Sequence, residues 1–147
     1  MRTPILPTLA ATLACALATA CAAQARDVRQ IQRTQYAIDE RTASSLVRRS
    51  LDEYPLVLRG ETDHIETRWV RGKDGTAYKL VVHIDGPGGG PFMVRVEPTL
   101  RDRTGAIKKH DIPAWLVAER ERVAVEIYER MRPAAIAPEP PATVAGR

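Results

Sequence analysis

Tyr78-Lys79-Leu80-Val81-Val82-His83-Ile84-Asp85-Gly86-Pro87-Gly88-Gly89-Gly90-Pro91-Phe92-Met93-Val94-Arg95-Val96-Glu97-Pro98 is the stretch that decides the fold. Tyr78, Leu80, Val82 and Ile84 alternate with Lys79, Val81, His83 and Asp85. Beyond the glycine–proline loop, Phe92, Val94 and Val96 alternate with Met93, Arg95 and Glu97. A period of two puts one set on each side of an extended chain, so both runs predict strands with one apolar and one polar face. Pro98 has no N–H to give to a ladder and is expected to end or bend the second run. An apolar sheet face of this size needs a cover, which the rest of the chain must supply.

Upstream, Ile65, Thr67 and Trp69 alternate with His64, Glu66 and Arg68, which predicts a strand with Trp69 on the core side beside Ile65. Gly72-Lys73-Asp74-Gly75 joins it to the Tyr78 run as a hairpin, because glycine supplies the positive φ such turns require. Gln35-Tyr36-Ala37-Ile38 is a short strand candidate, and Leu56-Val57-Leu58 a short extended piece. The cover comes from two amphipathic helices. Thr42 is the candidate N-cap of the first, which runs to about Tyr54 with Ala43, Leu46, Val47, Leu51 and Tyr54 on one stripe and is stopped by Pro55. The second runs from about Pro113 to Met131, and Leu116, Val123, Ala124, Ile127 and Met131 form its stripe. Arg120 interrupts that stripe, although its aliphatic stem can cover apolar surface. Trp115 lies off it, which leaves two places open: stapling the helix start to the sheet edge, or partial exposure at an interaction patch. The expected fold is therefore α+β, an antiparallel sheet of three to four strands with two helices packed on one face, in the order β-α-β-β-β-α.

That domain spans residues 33–131. After it, Pro133, Pro138, Pro140 and Pro141 punctuate residues 132–147, a tail expected to be disordered. Before it, residues 21–32 are polar and Ala-rich, as a tether would be. Residues 1–20 have the layout of a bacterial export signal: Arg2, the apolar stretch Ile5–Ala20, then small residues. The stretch is too diluted by Ala, Thr and Pro for a retained span of ~20 strongly apolar residues. Two cleavage sites compete. Ala18-Thr19-Ala20-Cys21 resembles the lipobox of bacterial lipoproteins, in which the cysteine is lipidated and becomes the mature N-terminus; the usual leucine three places before it is here Ala18, with Leu17 one further out. Ala23-Gln24-Ala25 is instead an A-x-A site, and cleavage before Arg26 would discard both cysteines. The lipoprotein reading leads, because the apolar core runs directly into Cys21 and Gln24 breaks it before the second site. Cys15 is the poorer acceptor, since Thr12 and Leu13 precede it and apolar residues follow.

Cys15 and Cys21 are the only cysteines, so neither cleavage leaves an internal disulfide. Removal of residues 1–20 leaves 21 basic against 18 acidic residues, a net charge of +3. The signs are interspersed, as in Arg120-Glu121-Arg122, which argues against a nucleic-acid partner. Of the histidines, His64 and His83 share the polar parity of neighbouring strands, while His110 stands apart. A metal site would want a third ligand or close spacing such as H-E-x-x-H, so none is assigned. There is no G-x-S-x-G, and Ser44, Ser45 and Ser50 on the first helix read as surface residues. Asp63, Glu66, Asp85 and Glu97 are not spaced as an acid/base pair. The Gly86–Gly90 run lacks the Lys-Ser/Thr and helix of a phosphate loop. No catalytic, cofactor-binding or metal residue is assigned, and Cys21 is the single candidate site, for lipidation.

Tyr36-Ala37-Ile38, Ile65-Glu66-Thr67-Arg68-Trp69, Tyr78–Ile84, Phe92–Val96 and Trp115-Leu116…Ile127, taken in order, resemble a group of small proteobacterial envelope lipoproteins. Their domain is similar to the helix-grip domains of accessory lipoproteins of outer-membrane protein assembly. The chain differs from those assembly proteins in having one such domain and no long N-terminal lasso segment. The resemblance implies a non-enzymatic domain, lipid-anchored at the periplasmic face of the outer membrane, that binds or supports another envelope protein. Ala22, where an Asp would retain an enterobacterial lipoprotein in the inner membrane, implies the same sorting. The alternative is a soluble periplasmic binding or inhibitor protein cleaved after Ala25. A small hydrolase joining His64 and His83 to a carboxylate is the third reading.

Overall fold

A computed structural model describes residues 28–57, 61–87 and 90–136. After a helical turn over 28–31, the elements are β1 (Gln35–Tyr36), α1 (Glu40–Ser50), β2 (His64–Glu66), β3 (Val70–Arg71), β4 (Ala77–Asp85), β5 (Phe92–Arg101), β6 (Ile107–Lys108) and α2 (Ala114–Met131). The class is α+β. The long antiparallel pair β4–β5 is the frame, with Val82 opposite Val96 and His83 opposite Arg95. The sheet order is β1-β5-β4-β2, with β3 also beside β4 and β6 also beside β5. Leu80, Val82, Ile65, Val47, Leu116, Val123, Ile127 and Met131 are nearly inaccessible and form one core between the sheet and the two helices. Burial of this apolar face is the main term holding the fold.

The sheet has six strands rather than three to four, and one cause is a bulge. Ile65 lies opposite Val82 and Val70 opposite Tyr78, so five steps of the outer chain span four of β4. The extra residue splits the expected strand into β2 and β3 and reverses which side chains face the core. Trp69 therefore lands on the helix-free face, against expectation, and Val70 packs on the core. Thr67 sits at the break, fully buried. Its N–H donates to the Leu80 carbonyl at 2.9 Å and its hydroxyl oxygen accepts from the Leu80 N–H at 3.0 Å, in place of a ladder carbonyl. Thr67→Val keeps the shape but strands that N–H, and we expect a loss of about 1–3 kcal/mol in urea unfolding. Thr67→Ser, which keeps the oxygen, should lose less.

Pro98 does not end its strand. β5 runs on to Arg101, because Pro98 turns its missing N–H away from β4 towards an edge where no described strand pairs with it. At α1 the N-cap is Asp39, not Thr42: the Asp39 carboxylate accepts from the Thr42 N–H at 2.9 Å and its hydroxyl at 2.5 Å. The helix ends at Ser50, short of Tyr54, although Leu51 and Tyr54 in the following turn remain buried. Ser44 and Ser50 are buried too, and the Ser50 hydroxyl donates back to the Leu46 carbonyl at 3.1 Å.

The ordered domain reaches beyond residues 33 and 131 at both ends. Val28, in the expected tether, is 3% exposed. In the expected tail, Ala134 and Ile136 bond to Ala37 and Gln35 on the outer side of β1. The export segment, Cys15, Cys21 and residues 137–147 lie outside the described residues. No described helix is long and apolar enough to cross a membrane.

Between the helices, the Tyr54 hydroxyl donates to Glu119 and accepts from Arg122 at 2.9 Å, while Arg122 also pairs with Glu119 and Glu53. The Arg122 hydrogen bond holds the Glu119 carboxyl below its usual range. Burial pushes the phenols of Tyr54 and Tyr78 up. Burial, and then the neighbouring Tyr128, push Tyr36 from 10.0 up to about 12. Tyrosines of the unfolded chain ionise near pH 10, so the contribution of Tyr36 is complete below that pH and falls as the pH rises. The expected slope for this group is about 1.4 kcal/mol per pH unit until the folded phenol also ionises. Denaturant unfolding at stepped pH should show stability falling above pH ~10, and Tyr36→Phe should remove one proton's share of the slope.

Candidate binding face

The face of the sheet turned away from the helices carries the alternate residues of the same strands that build the core. Ile84 N–H bonds to the Asp63 carbonyl and Thr67 N–H to the Leu80 carbonyl. Even-numbered residues of β4 thus bond towards β2, and His64–His83 is a non-hydrogen-bonded pair, the kind in which facing side chains come closest. The two imidazoles meet edge to face with centroids 5.0 Å apart. Each has a carboxylate beside it: Glu66 at 3.9 Å from His64 and Glu97 at 3.6 Å from His83. Glu66 also pairs with Lys79. Arg95 donates to Asp85 at 2.7 Å and lies 3.6 Å from Glu97. The parity expectation for His64 and His83 holds, and their surroundings are a ring of mutually paired charges.

Trp69 occupies the same face near the bulge. The Arg101 guanidinium carbon is 4.7 Å from its ring and the Lys79 ammonium 5.3 Å, both within range of attraction to the aromatic quadrupole. Sequence reasoning missed this residue, because a one-residue bulge leaves no mark on the alternation. Trp115 resolves the other way. It packs edge to face on Tyr78, with centroids 5.5 Å apart, and it approaches so close to Gly72 that a Cβ there would meet its ring at 2.9 Å. It is the staple of the α2 start.

Along the β5 side of the face runs a groove of about 740 Å³, bordered by His64, His83 and His110 and by Arg95, Glu97, Lys109 and Arg120. It brings His110, an exposed residue beyond β6, to the same concavity as the histidine pair. A second groove of about 540 Å³ lies along α1, between Arg41, Arg48 and Thr62. Among the described residues, no three His, Cys, Asp or Glu side chains are placed to hold a metal ion. Asp63 gives its carbonyl to the β2–β4 ladder. The Gly86–Gly90 segment links β4 to β5, with Gly90 at φ 81° and 88–89 outside the described residues.

No known protein family, characterised protein or solved structure matches this chain.

Proposed function

We propose that this chain is a non-enzymatic binding domain of the bacterial envelope, held by lipid at Cys21 to the periplasmic face of the outer membrane, that binds or supports another envelope protein. The partner docks on the helix-free sheet face and its groove. The observation that carries the reading is the asymmetry of the sheet. Both helices cover one face, while the other presents Trp69 between two cations beside a groove. Tryptophan and arginine are the residue types that most often anchor protein interfaces. The polar groups of this face support binding over chemistry, since Lys79, His83 and Arg95 each have a carboxylate beside them and, among the described residues of the face, no nucleophile is hydrogen-bonded to a base.

The test is site-specific photocross-linking in living cells, with the probe at Val81 on this face or at Glu129 on the exposed side of α2. The Val81 probe should give one discrete adduct with an envelope protein and the Glu129 probe none. Trp69→Ala should weaken that association by about 2 kcal/mol, as an anchor residue does. Equal yields from both positions, or none from Val81, would overturn the reading.

A further inference from the structure

We infer that His64 and His83 together bind a divalent transition-metal ion on the helix-free face, zinc by their spacing, as a two-ligand, exchangeable site. The site needs no partner and goes beyond the binding role proposed above. Imidazole is a ligand that suits zinc, copper and nickel. Chelation requires two of them held side by side, and the sheet does this. His64 and His83 are direct cross-strand neighbours in a non-hydrogen-bonded pair, where the Cα atoms approach to about 4.5 Å. β4 is also paired along its whole length with β5, so the backbone of His83 is fixed from both sides.

The spacing selects the ion. Zinc holds nitrogen ligands at about 2.0–2.1 Å in a tetrahedron, which sets the centroids of two bound imidazoles about 5.2 Å apart. A square-planar ion with the rings at adjacent corners would draw the centroids to about 4.5 Å. The observed separation is 5.0 Å, with the ring planes 72° apart. An ion replaces the edge-to-face contact, so the rings turn about their side-chain bonds while the strands stay in place. Both have room to turn, with side chains 32% and 28% exposed.

The surroundings accept a dication. Glu66 lies 3.9 Å from His64 and Glu97 lies 3.6 Å from His83. In the sheet these two carboxylates flank Val81, in the row next to the histidines. Carboxylates beside ligating imidazoles raise their basicity and orient them. The nearby strand cations already have partners: Lys79 pairs with Glu66, and Arg95 with Asp85 at 2.7 Å and Glu97 at 3.6 Å. Arg120, at the border of the groove, pairs with Glu121, whereas Lys109 works against the ion. Among the described residues no group of three His, Cys, Asp or Glu side chains is placed to enclose an ion, so His110, in the same groove, is not a ligand. The other positions of the tetrahedron are left to water. Structural zinc sites fill all four with protein, so this ion exchanges and the fold does not depend on it.

The probe is zinc chloride alone, titrated into the untagged mature chain at neutral pH. Calorimetry should give one ion per chain, and the imidazole NMR signals of His64 and His83 should shift together while those of His110 stay. His64→Ala and His83→Ala should each weaken binding by at least about tenfold, since even the loss of an outer-shell partner costs about 10–100-fold. His110→Ala should leave binding unchanged. Amide spectra report whether each variant keeps its sheet, and His64→Gln and His83→Gln repeat the test if alanine disturbs it. Zinc should raise the urea midpoint of the wild type and not of the His64 or His83 variants. A chelator should then return the chain to its metal-free midpoint, still folded. Absence of binding, undiminished binding in both variants, or an equal loss in His110→Ala overturns the inference. One ion shared by two chains assigns it to an interface between copies, and a chelator that unfolds the chain makes the site structural; either result overturns it too.

Discussion

Ile127→Ala is expected to cost about 2–5 kcal/mol, the usual range for truncating a fully buried isoleucine. Ile127 is 2% exposed and lies on the stripe with which α2 covers the sheet, beside Val123, Ala124 and Met131. The core it fills is shared by Leu80, Val82 and Val96 of the two long strands and by Val47 of α1, so the cavity would open where all three layers meet. A domain of this size is stabilised by about 5–15 kcal/mol in total, so the substitution removes a large share. Val125, two residues earlier on the partly exposed side, supplies the control. Its replacement by alanine should cost well under about 1 kcal/mol. Denaturant unfolding of both variants decides the matter, and small, equal effects would mean that α2 is not docked on the sheet as described.

The parts of the fold that were legible in advance are those in which a period persists. Tyr78–Ile84 and Phe92–Val96 hold a strict alternation, and the Leu116–Met131 stripe holds a helical one, because each residue of one face meets the same continuous core. The bulge at Thr67 has no such signature. A single inserted residue exchanges the two faces of a strand while leaving its composition unchanged. The two-residue strands β3 and β6 are shorter than any window in which alternation can be counted, whereas β1 falls within the Gln35–Ile38 candidate. Asp39 and Thr42 both suit a helix start, and their mutual hydrogen bonds explain why the earlier one caps it while the later one donates.

The binding face divides in the same way. His64 and His83 were placed together by parity alone, since directly paired strands put residues of like parity on one face. Trp69 was lost to the bulge, and its cationic neighbours with it. The link from Tyr54 through Glu119 to Arg122 joins residues more than sixty positions apart, so only the tertiary fold can reveal it. The middle of β5, which no described strand joins on the side away from β4, belongs to this second kind. Pro98 gave a local warning that a ladder would fail there, but only the topology shows that two short strands flank the failure.

Cys21→Ser is expected to abolish lipid labelling altogether and to release the protein from membranes. No described helix is long and apolar enough to cross a bilayer, and the proposed attachment is through acyl chains at Cys21. Each buried methylene contributes about 0.8 kcal/mol, and a single chain anchors only marginally, which is why the diacylglyceryl group implied by the lipobox resemblance matters. The fold sharpens this prediction. Because Val28 is already buried in the domain, only residues 22–27 separate Cys21 from the folded chain, a reach of at most about 25 Å when fully extended. Gln32, at the groove, follows four residues later, so under the proposed anchoring the groove lies near the membrane surface. Labelling with an alkyne fatty acid, membrane fractionation and mass spectrometry of the mature N-terminus test the proposal together. Wild-type protein should carry lipid, begin at Cys21 and sediment with the outer membrane, whereas Ala22→Asp should shift it to the inner membrane. An unlabelled protein that begins at Arg26 would refute the anchor and leave the soluble binding protein in its place.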